Sequence, residues 1–228
     1  MKKFTFVLAM LFLVTSTGAY AQLRQTFVKY EDTGYRYLVA KKNDKVLNQF
    51  YASNFIDTAW PVGDAAVGTL NNTSSPPCPL NDATHIKIFW PSSREVLLRK
   101  HVNLPAGTRN VTVGVALDNG VQVFFNGVDI SGGIKIHNDC AGPDNFVFNV
   151  PDNVLRTGDN VLAVRGNWQS SKNYLDVRVT GDVFYTILAS AEGNGTISPN
   201  GIVNVPAGTS QRFVFAPAVG HHVDSVFV

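Results

Sequence analysis

The sequence predicts an all-β fold, a β-sandwich built from short strands, and two observations support this prediction. β-branched and aromatic residues recur with period 2 in short runs that Gly, Pro, Asn and Asp bound. No stretch of the sequence places apolar residues at i, i+3, i+4 and i+7 between helix-capping residues. Short strands joined by turns at this spacing are typical of two antiparallel sheets packed face to face.

The middle of the chain has the clearest strand pattern. Val111–Leu117 alternates as a strand, Asp118-Asn119-Gly120 predicts a turn, and Val121–Phe125 predicts the next strand. Asn126-Gly127 then predicts a type I′ hairpin turn into Val128–Ile130, because both central residues of that turn need a positive φ. Further strands are expected at Asn145–Val150, Asn160–Arg165 and Tyr174–Thr180.

The N-terminus has the pattern of a cleavable secretory signal peptide over residues 1–21. Two lysines precede an apolar run from Phe4 to Val14, and Ala19-Tyr20-Ala21 is a small-x-small cleavage site. The apolar run is too short for a spanning helix, which needs about 20 residues. We therefore expect cleavage after Ala21, no membrane insertion, and a secreted, extracellular or cell-surface protein.

The charge balance argues against nucleic acid as a partner. The whole chain has 19 basic and 17 acidic residues, and the first 21 residues contain two of the lysines and no acid. The exported chain is therefore formally neutral and has no basic cluster. Binding to nucleic acid or to an anionic surface usually needs a concentrated positive patch.

The two cysteines, Cys78 and Cys140, are far apart in the sequence. Pairing in an oxidising compartment is favoured over the alternative of two buried free thiols. A bridge would close a loop of about 60 residues and stabilise the fold by about 3–4 kcal/mol on the chain-entropy estimate.

A second β unit is expected after Asp182, which divides the exported chain into residues 22–182 and 183–228. The second unit has about 45 residues and no cysteine, so it is marginal as an independent core. Its final segment, His222–Val228, is expected to be a strand that reaches the C-terminus. From this we expect the chain to be part of a longer protein.

Three blocks of the first unit resemble the galactose-binding-like jelly-roll domain that is attached to many secreted bacterial enzymes and adhesins. The blocks are Phe55–Gly63, Leu98–Lys100 with Asp118–Gly127, and Leu155–Arg165. The resemblance covers roughly residues 22–181 and implies a jelly-roll sandwich with a binding role. It also implies one structural calcium, for which Asp57, Asp64 and Asp118 are weak candidates. The alternative is that these carboxylates cap turns.

The tail is similar to the divergent internalin-type B repeat of bacterial surface proteins. Gly195–Gly201, Val205–Thr209 and Phe213–Pro217 carry this resemblance. The repeat usually has an aromatic residue after its late glycine, where this chain has His221. The resemblance implies a surface-protein repeat that is incomplete within this chain.

No sequence motif predicts catalysis. The chain has no nucleophile elbow, no zinc-binding His-Glu-x-x-His, no phosphate-binding loop and no paired-cysteine zinc spacing. The one dense polar group is His137–Cys140 with Asp144 and Asn145. A nucleophilic cysteine or a metal site is conceivable there, but a disulfide in a loop is favoured. We expect no catalytic residue, no cofactor beyond the calcium considered above, and no enzyme activity.

Ligand contact is expected at aromatic side chains near loops, because flat apolar rings stack on sugar rings. Trp168 is the most informative, since it is a large ring in the polar loop 166–173, next to Asn167 and Gln169. Tyr174 and Trp90 are further candidates. The alternative for Trp168 is that it folds back to cover the end of the sandwich.

The sequence therefore predicts a non-catalytic extracellular binding module at the N-terminal end of a larger secreted or surface protein. Its expected partners are carbohydrate or another extracellular polymer and further domains of the same chain. Two alternatives stay open: a structural or adhesive spacer without a small ligand, and an accessory domain of a glycoside hydrolase. Fold by itself does not choose among them.

Overall fold

The computed structural model describes residues 24–70, 78–169 and 172–228. The predicted signal peptide and its cleavage site after Ala21 lie outside the described residues. So do Ser170 and Ser171 of the polar loop that carries Trp168. In the described part of the chain, no helix has the length and apolar character needed to cross a membrane.

The described residues form fifteen strands and two short 3-10 helices, so the predicted all-β sandwich is confirmed. The strands are β1 Gln25–Val28, β2 Tyr35–Lys41, β3 Val62–Gly63, β4 Val67–Gly68, β5 Ile88–Phe89, β6 Arg94–Leu104, β7 Thr108–Phe125, β8 Val128–Asp129, β9 Lys135–His137, β10 Phe146–Asn149, β11 Gly158–Asn167, β12 Tyr174–Ala189, β13 Gly195–Ser198, β14 Gly201–Pro206 and β15 Val214–Pro217. The 3-10 helices are Lys45–Asn48 and Asp152–Val154.

Strand β7 belongs to both layers of the sandwich. Its first half pairs with β12 on one edge and with β10 on the other. Its second half pairs with β11, and the second layer continues through β6, β2 and β3. All of these pairings are antiparallel, and β4–β5 is a parallel contact at the edge of the first layer. Because one strand serves both layers, the sheet curls on itself.

The turn predicted at Asp118-Asn119-Gly120 is wrong, because these residues lie inside β7, which runs unbroken from Thr108 to Phe125. Asn119 has φ 98°, a conformation that asparagine tolerates better than most residues. Gly120 lies so close to Asn167 that a Cβ there would be 2.8 Å from the Asn167 carbonyl oxygen. The same residues that suit a turn therefore bend a continuous strand from one layer to the other.

The hairpin predicted at Asn126-Gly127 is confirmed. Both residues have positive φ, 49° and 88°. Phe125 then pairs with Val128 across the turn.

The main core lies between the two layers, and β7 supplies a residue to it at every second position on either side of its bend. These residues are Val111, Val113, Val115, Leu117, Val121, Val123 and Phe125. The facing residues come chiefly from β6, β11 and β12. Two smaller clusters cover the outer faces: one contains Phe50, Trp60 and Phe124, and the other contains Ala116 and Tyr174. Successive side chains of a strand point to opposite faces, so alternate residues of β7 belong to the central core and to the outer clusters.

The tail is built on an extension of β12, which passes through Asp182 without interruption and pairs with β14 beyond it. β13 and β15 form a separate two-stranded sheet. The strand predicted at His222–Val228 is wrong, since these residues are not in a strand. Ala189 and Val205 are the buried apolar side chains beyond Val183 in the described tail. With so little apolar burial, nothing holds a further strand in place. The domain boundary at Asp182 stays a prediction.

Candidate binding site

A polar cavity of about 330 Å³ lies at the end of the sandwich where β7 bends. It is lined by Cys78, Asp118, Asn138, Asp139, Cys140 and Lys172. The cavity thus brings together three features that the sequence treats separately: the dense polar group at 137–140, both cysteines, and one of the predicted calcium ligands.

The predicted disulfide between Cys78 and Cys140 is confirmed. It joins two segments that are 62 residues apart in sequence and holds their Cα atoms 5.1 Å from each other. Because both cysteines line the cavity, the bridge fixes one of its walls.

Asn145 holds the same wall by hydrogen bonds. Its Oδ1 accepts from the backbone N–H of Leu117 (3.0 Å) and of Gly142 (2.8 Å). Its Nδ2 donates to His137 Nε2 at 3.2 Å. The Asp139 carboxylate caps the loop by accepting from the Cys140 N–H at 2.7 Å. The loop between β9 and β10 is therefore held to β7 by the Asn145 side chain.

A network of buried amides supports β7 beside the cavity. Asn119 Nδ2 donates to Asn173 Oδ1 (2.8 Å), and Asn173 Nδ2 donates to Thr69 Oγ1 (3.1 Å). Asn81 Nδ2 donates to the carbonyl oxygens of Thr69 and Asn173. All three asparagines are at most 1% exposed. Sequence reasoning missed this network, because asparagine in a polar stretch indicates a turn and gives no sign of burial.

Asp118 contributes a buried carboxyl group to the cavity lining. It is 5% exposed, and its carboxyl group has neither a hydrogen bond nor an ion pair among the described residues. Burial raises the pKa of Asp118 to about 6, while the charges of His137 and Lys172 oppose that rise. Buried polar groups almost always have a partner. The Asp118 carboxyl instead lines the cavity without a protein partner among the described residues.

The polar loop after β11 is more tightly packed than its sequence suggests. Asn167 is buried, and its Nδ2 donates to both carboxylate oxygens of Glu95 at 3.0 and 3.1 Å. Gln169 is exposed and donates to Asn167 Oδ1. Trp168 is partly buried against the main core, and its Nε1 is buried without a partner among the described residues. Ligand contact by these three residues stays a prediction.

Trp90 and Tyr174 are both buried aromatics. Trp90 lies in the main core and donates from Nε1 to the Arg94 carbonyl oxygen at 2.8 Å. Tyr174 lies in an outer cluster, and its backbone pairs with Asp118. Packing accounts for both rings, so they contribute to the shape of this end of the sandwich. Direct contact with a ligand stays a prediction.

The three predicted calcium ligands have different surroundings. Asp57 pairs with Arg99 at 2.8 Å, Asp64 accepts from the Gly34 N–H at 3.0 Å, and Asp118 faces the cavity. Within residues 24–70, 78–169 and 172–228, no group of three or more His, Cys, Asp or Glu side chains is arranged to hold a metal ion. The structure therefore does not bring these three carboxylates together, and calcium binding at any of them stays a prediction.

The chain is an all-β sandwich with a polar cavity at one end. No protein-family model matches the chain, and no curated protein matches it significantly.

Three solved structures illustrate what the chain is similar to. A calcium-binding mutant of Bacteroides uniformis beta-glucuronidase 2 has 15% identity and a TM-score of 0.47, covering 77% of this chain and 22% of the enzyme. A glycoside hydrolase family 2 beta-glucuronidase has 17% identity and a TM-score of 0.46, covering 85% and 26%. A beta-glycosidase from Bacteroides vulgatus has 15% identity and a TM-score of 0.41, covering 76% and 23%. The chain spans about a quarter of the length of these proteins, and at these scores the likeness assigns no activity to it.

Proposed function

We propose that this chain is a non-catalytic binding module that holds a carbohydrate unit in the cavity at Asp118. The observation that carries the proposal is the Asp118 carboxyl, which is buried, faces the cavity and has no partner among the described residues. A sugar hydroxyl is a donor of the right size to satisfy it.

The other groups in the cavity suit the same ligand. The Asn138 amide can both donate and accept, and the Lys172 ammonium can donate to hydroxyl or ring oxygens. The disulfide and the Asn145 hydrogen bonds hold the wall in place in the absence of a ligand. A site that is already ordered loses less conformational entropy on binding, which favours affinity.

Catalysis is the less favoured function. Glycoside hydrolysis needs two carboxyl groups facing each other across the scissile bond. The cavity contains Asp118 and Asp139, but Asp139 accepts the Cys140 N–H and caps its own loop. We propose a binding role for this pair of residues. Release of nitrophenol from chromogenic glycosides by the purified chain would falsify the non-catalytic assignment.

The Asp118→Asn variant tests the proposed site. We expect binding to a glycan array to be lost or weakened at least about tenfold, because hydrogen bonds to charged groups contribute about 1.5–3 kcal/mol. The matched control is Asp159→Asn. It removes the carboxylate of an exposed pair with His101 near the start of β11, and Asp159 is not in the cavity lining. Affinities by titration calorimetry on any array hit give the comparison.

Two outcomes of the array experiment would count against the proposal. If no glycan binds the unmodified chain, the structural or adhesive spacer becomes the better assignment. If Asp118→Asn and Asp159→Asn behave alike, the ligand binds elsewhere. Trp168→Phe belongs in the same experiment, because it keeps most of the packing: lost affinity at unchanged stability would assign a ligand contact to the Trp168 indole.

We further propose that the chain is exported and works as part of a larger protein, either an accessory domain of a glycoside hydrolase or an adhesin. The signal-peptide pattern and the disulfide support export. We expect the exported protein to begin at Gln22, which N-terminal sequencing would check; a retained Met1 in the exported material would contradict cleavage. The resemblance of residues 183–228 to a surface-protein repeat stays a prediction.

A further inference from the structure

The charges around the cavity are not balanced. Asp118 and Asp139 are two carboxyl groups in its lining, and Lys172 is the one cation among the described lining residues. His137 is the other titratable group whose charge acts on Asp118. Lys172 forms no ion pair with Asp118 within 4.0 Å among the described residues, so the more buried carboxyl has no counter-charge in contact.

We propose that the carbohydrate bound in this cavity is an amino sugar with a free primary amine, whose ammonium pairs with the Asp118 carboxylate. The inference rests on the proposed function and names the class of sugar. With the ligand in place, two cations, Lys172 and the amine, would face two carboxylates, Asp118 and Asp139.

An ammonium suits Asp118 better than a hydroxyl does. Buried ionised groups in proteins are normally paired with an opposite charge or bound to a metal, and no metal-binding group forms among the described residues. A hydroxyl offers one donor and no charge, whereas an ammonium offers three donors and a full positive charge. Charge-assisted hydrogen bonds are about twice as strong as neutral ones. An N-acetylated amine loses the charge and two of the donors, so acetylation is the change the site should detect.

The proposal implies a particular pH dependence. The groups that face Asp118 are His137 at the end of β9, Asp139 in the loop after it, and Lys172 just before β12. Since burial holds the pKa of Asp118 at about 6 in the free protein, an arriving ammonium displaces any proton still bound there. Near pH 6, where the ligand amine is already largely protonated, binding should therefore release protons from Asp118. At lower pH binding should weaken, as Asp118 becomes neutral.

Titration calorimetry with two matched probes tests the proposal: the β-1,4-linked tetramer of glucosamine and its fully N-acetylated form. At about pH 7 we expect the free-amine tetramer to bind at least about tenfold more tightly, the effect of one added ion pair in a buried site. Asp118→Asn should reduce this preference to less than about twofold, and Asp159→Asn should keep it. Repeating the titration near pH 6 in two buffers of different ionisation enthalpy should show proton release.

The possible results distinguish failure of the amino-sugar inference from failure of the proposed function. Equal affinity for the two tetramers, or failure of the free-amine tetramer to bind, overturns the amino-sugar inference. The proposed function survives that result if another glycan on the array binds in an Asp118-dependent way, and fails if none does. Because Asp118→Asn could disturb the cavity, its melting temperature and near-UV spectrum are compared with those of the unmodified chain. Proton release in the unmodified chain supplies a readout that does not depend on the variant.

Discussion

Replacing Arg99 by alanine is expected to lower the free energy of unfolding by about 3–5 kcal/mol, because it leaves a buried carboxylate without its partner. Arg99 is 1% exposed and pairs through Nε with Asp57 at 2.8 Å. Its other nitrogens donate to the carbonyl oxygens of Phe50, Ala52 and Phe55. The Arg99 guanidinium therefore links residues 50–57 to the outer face of β6.

Urea unfolding measures this effect, and two further variants define its origin. Asp159→Asn, at the exposed pair with His101, should change stability by less than about 1 kcal/mol. The double change Arg99→Met with Asp57→Leu should recover part of the loss, because it removes both charges and leaves neither one buried alone. A loss below about 1 kcal/mol for Arg99→Ala would mean that solvent reaches Asp57 and that the pair is not structural.

Replacing Asp176 by asparagine is expected to remove a pH-dependent loss of stability that reaches about 4 kcal/mol at pH 8. Asp176 is 1% exposed and accepts the backbone N–H groups of Glu31 and Val177, each at 2.7 Å. Burial raises the pKa of its carboxyl to about 7, and the charges of Glu31 and Asp32 add to the rise. The folded protein therefore holds a proton that the unfolded chain releases near pH 4.

The sign of the pH effect follows from this proton. Between about pH 4 and pH 7 the folded state binds more protons than the unfolded state, so the free energy of unfolding falls as the pH rises. Asparagine does not titrate and should abolish that part of the slope. Its amide nitrogen cannot accept the second backbone N–H, and that loss lowers stability equally at every pH. Asp118, whose pKa is about 6, contributes a further fall that both proteins share. Urea midpoints between about pH 4.5 and pH 8.5 are the measurement, and parallel curves for the two proteins would contradict the assignment.

Local patterns in the sequence predicted the fold class and several elements correctly. The period-2 runs around Val111–Leu117 and Val121–Phe125 are strand, and Asn126-Gly127 is a hairpin turn. Strand alternation and turn conformation are determined by neighbouring residues, so both can be predicted from a single sequence. The error at Asp118-Asn119-Gly120 has a local cause too, because the same backbone freedom serves a turn or a bend within a strand.

The candidate site was much harder to predict. Asp118 was noticed as a turn residue and a weak calcium candidate, and the group at 137–140 as a polar loop with a disulfide. Trp168 was expected to be the prominent feature, and it packs partly against the core. The amides of Asn119 and Asn173 were not singled out as buried at all. The burial of each of these residues decides its role, and burial depends on strands that are distant in sequence.

The sequence by itself determined the all-β fold class and the lack of a recognisable catalytic motif, since strand period, turn chemistry and short motifs are properties of neighbouring residues. Only the tertiary structure decided which distant residues line the cavity. It bends β7 between the layers, joins Cys78 to Cys140 across 62 residues, and leaves the Asp118 carboxyl buried without a partner among the described residues. The physical reason is desolvation, which acts on a residue only once distant parts of the chain have closed around it.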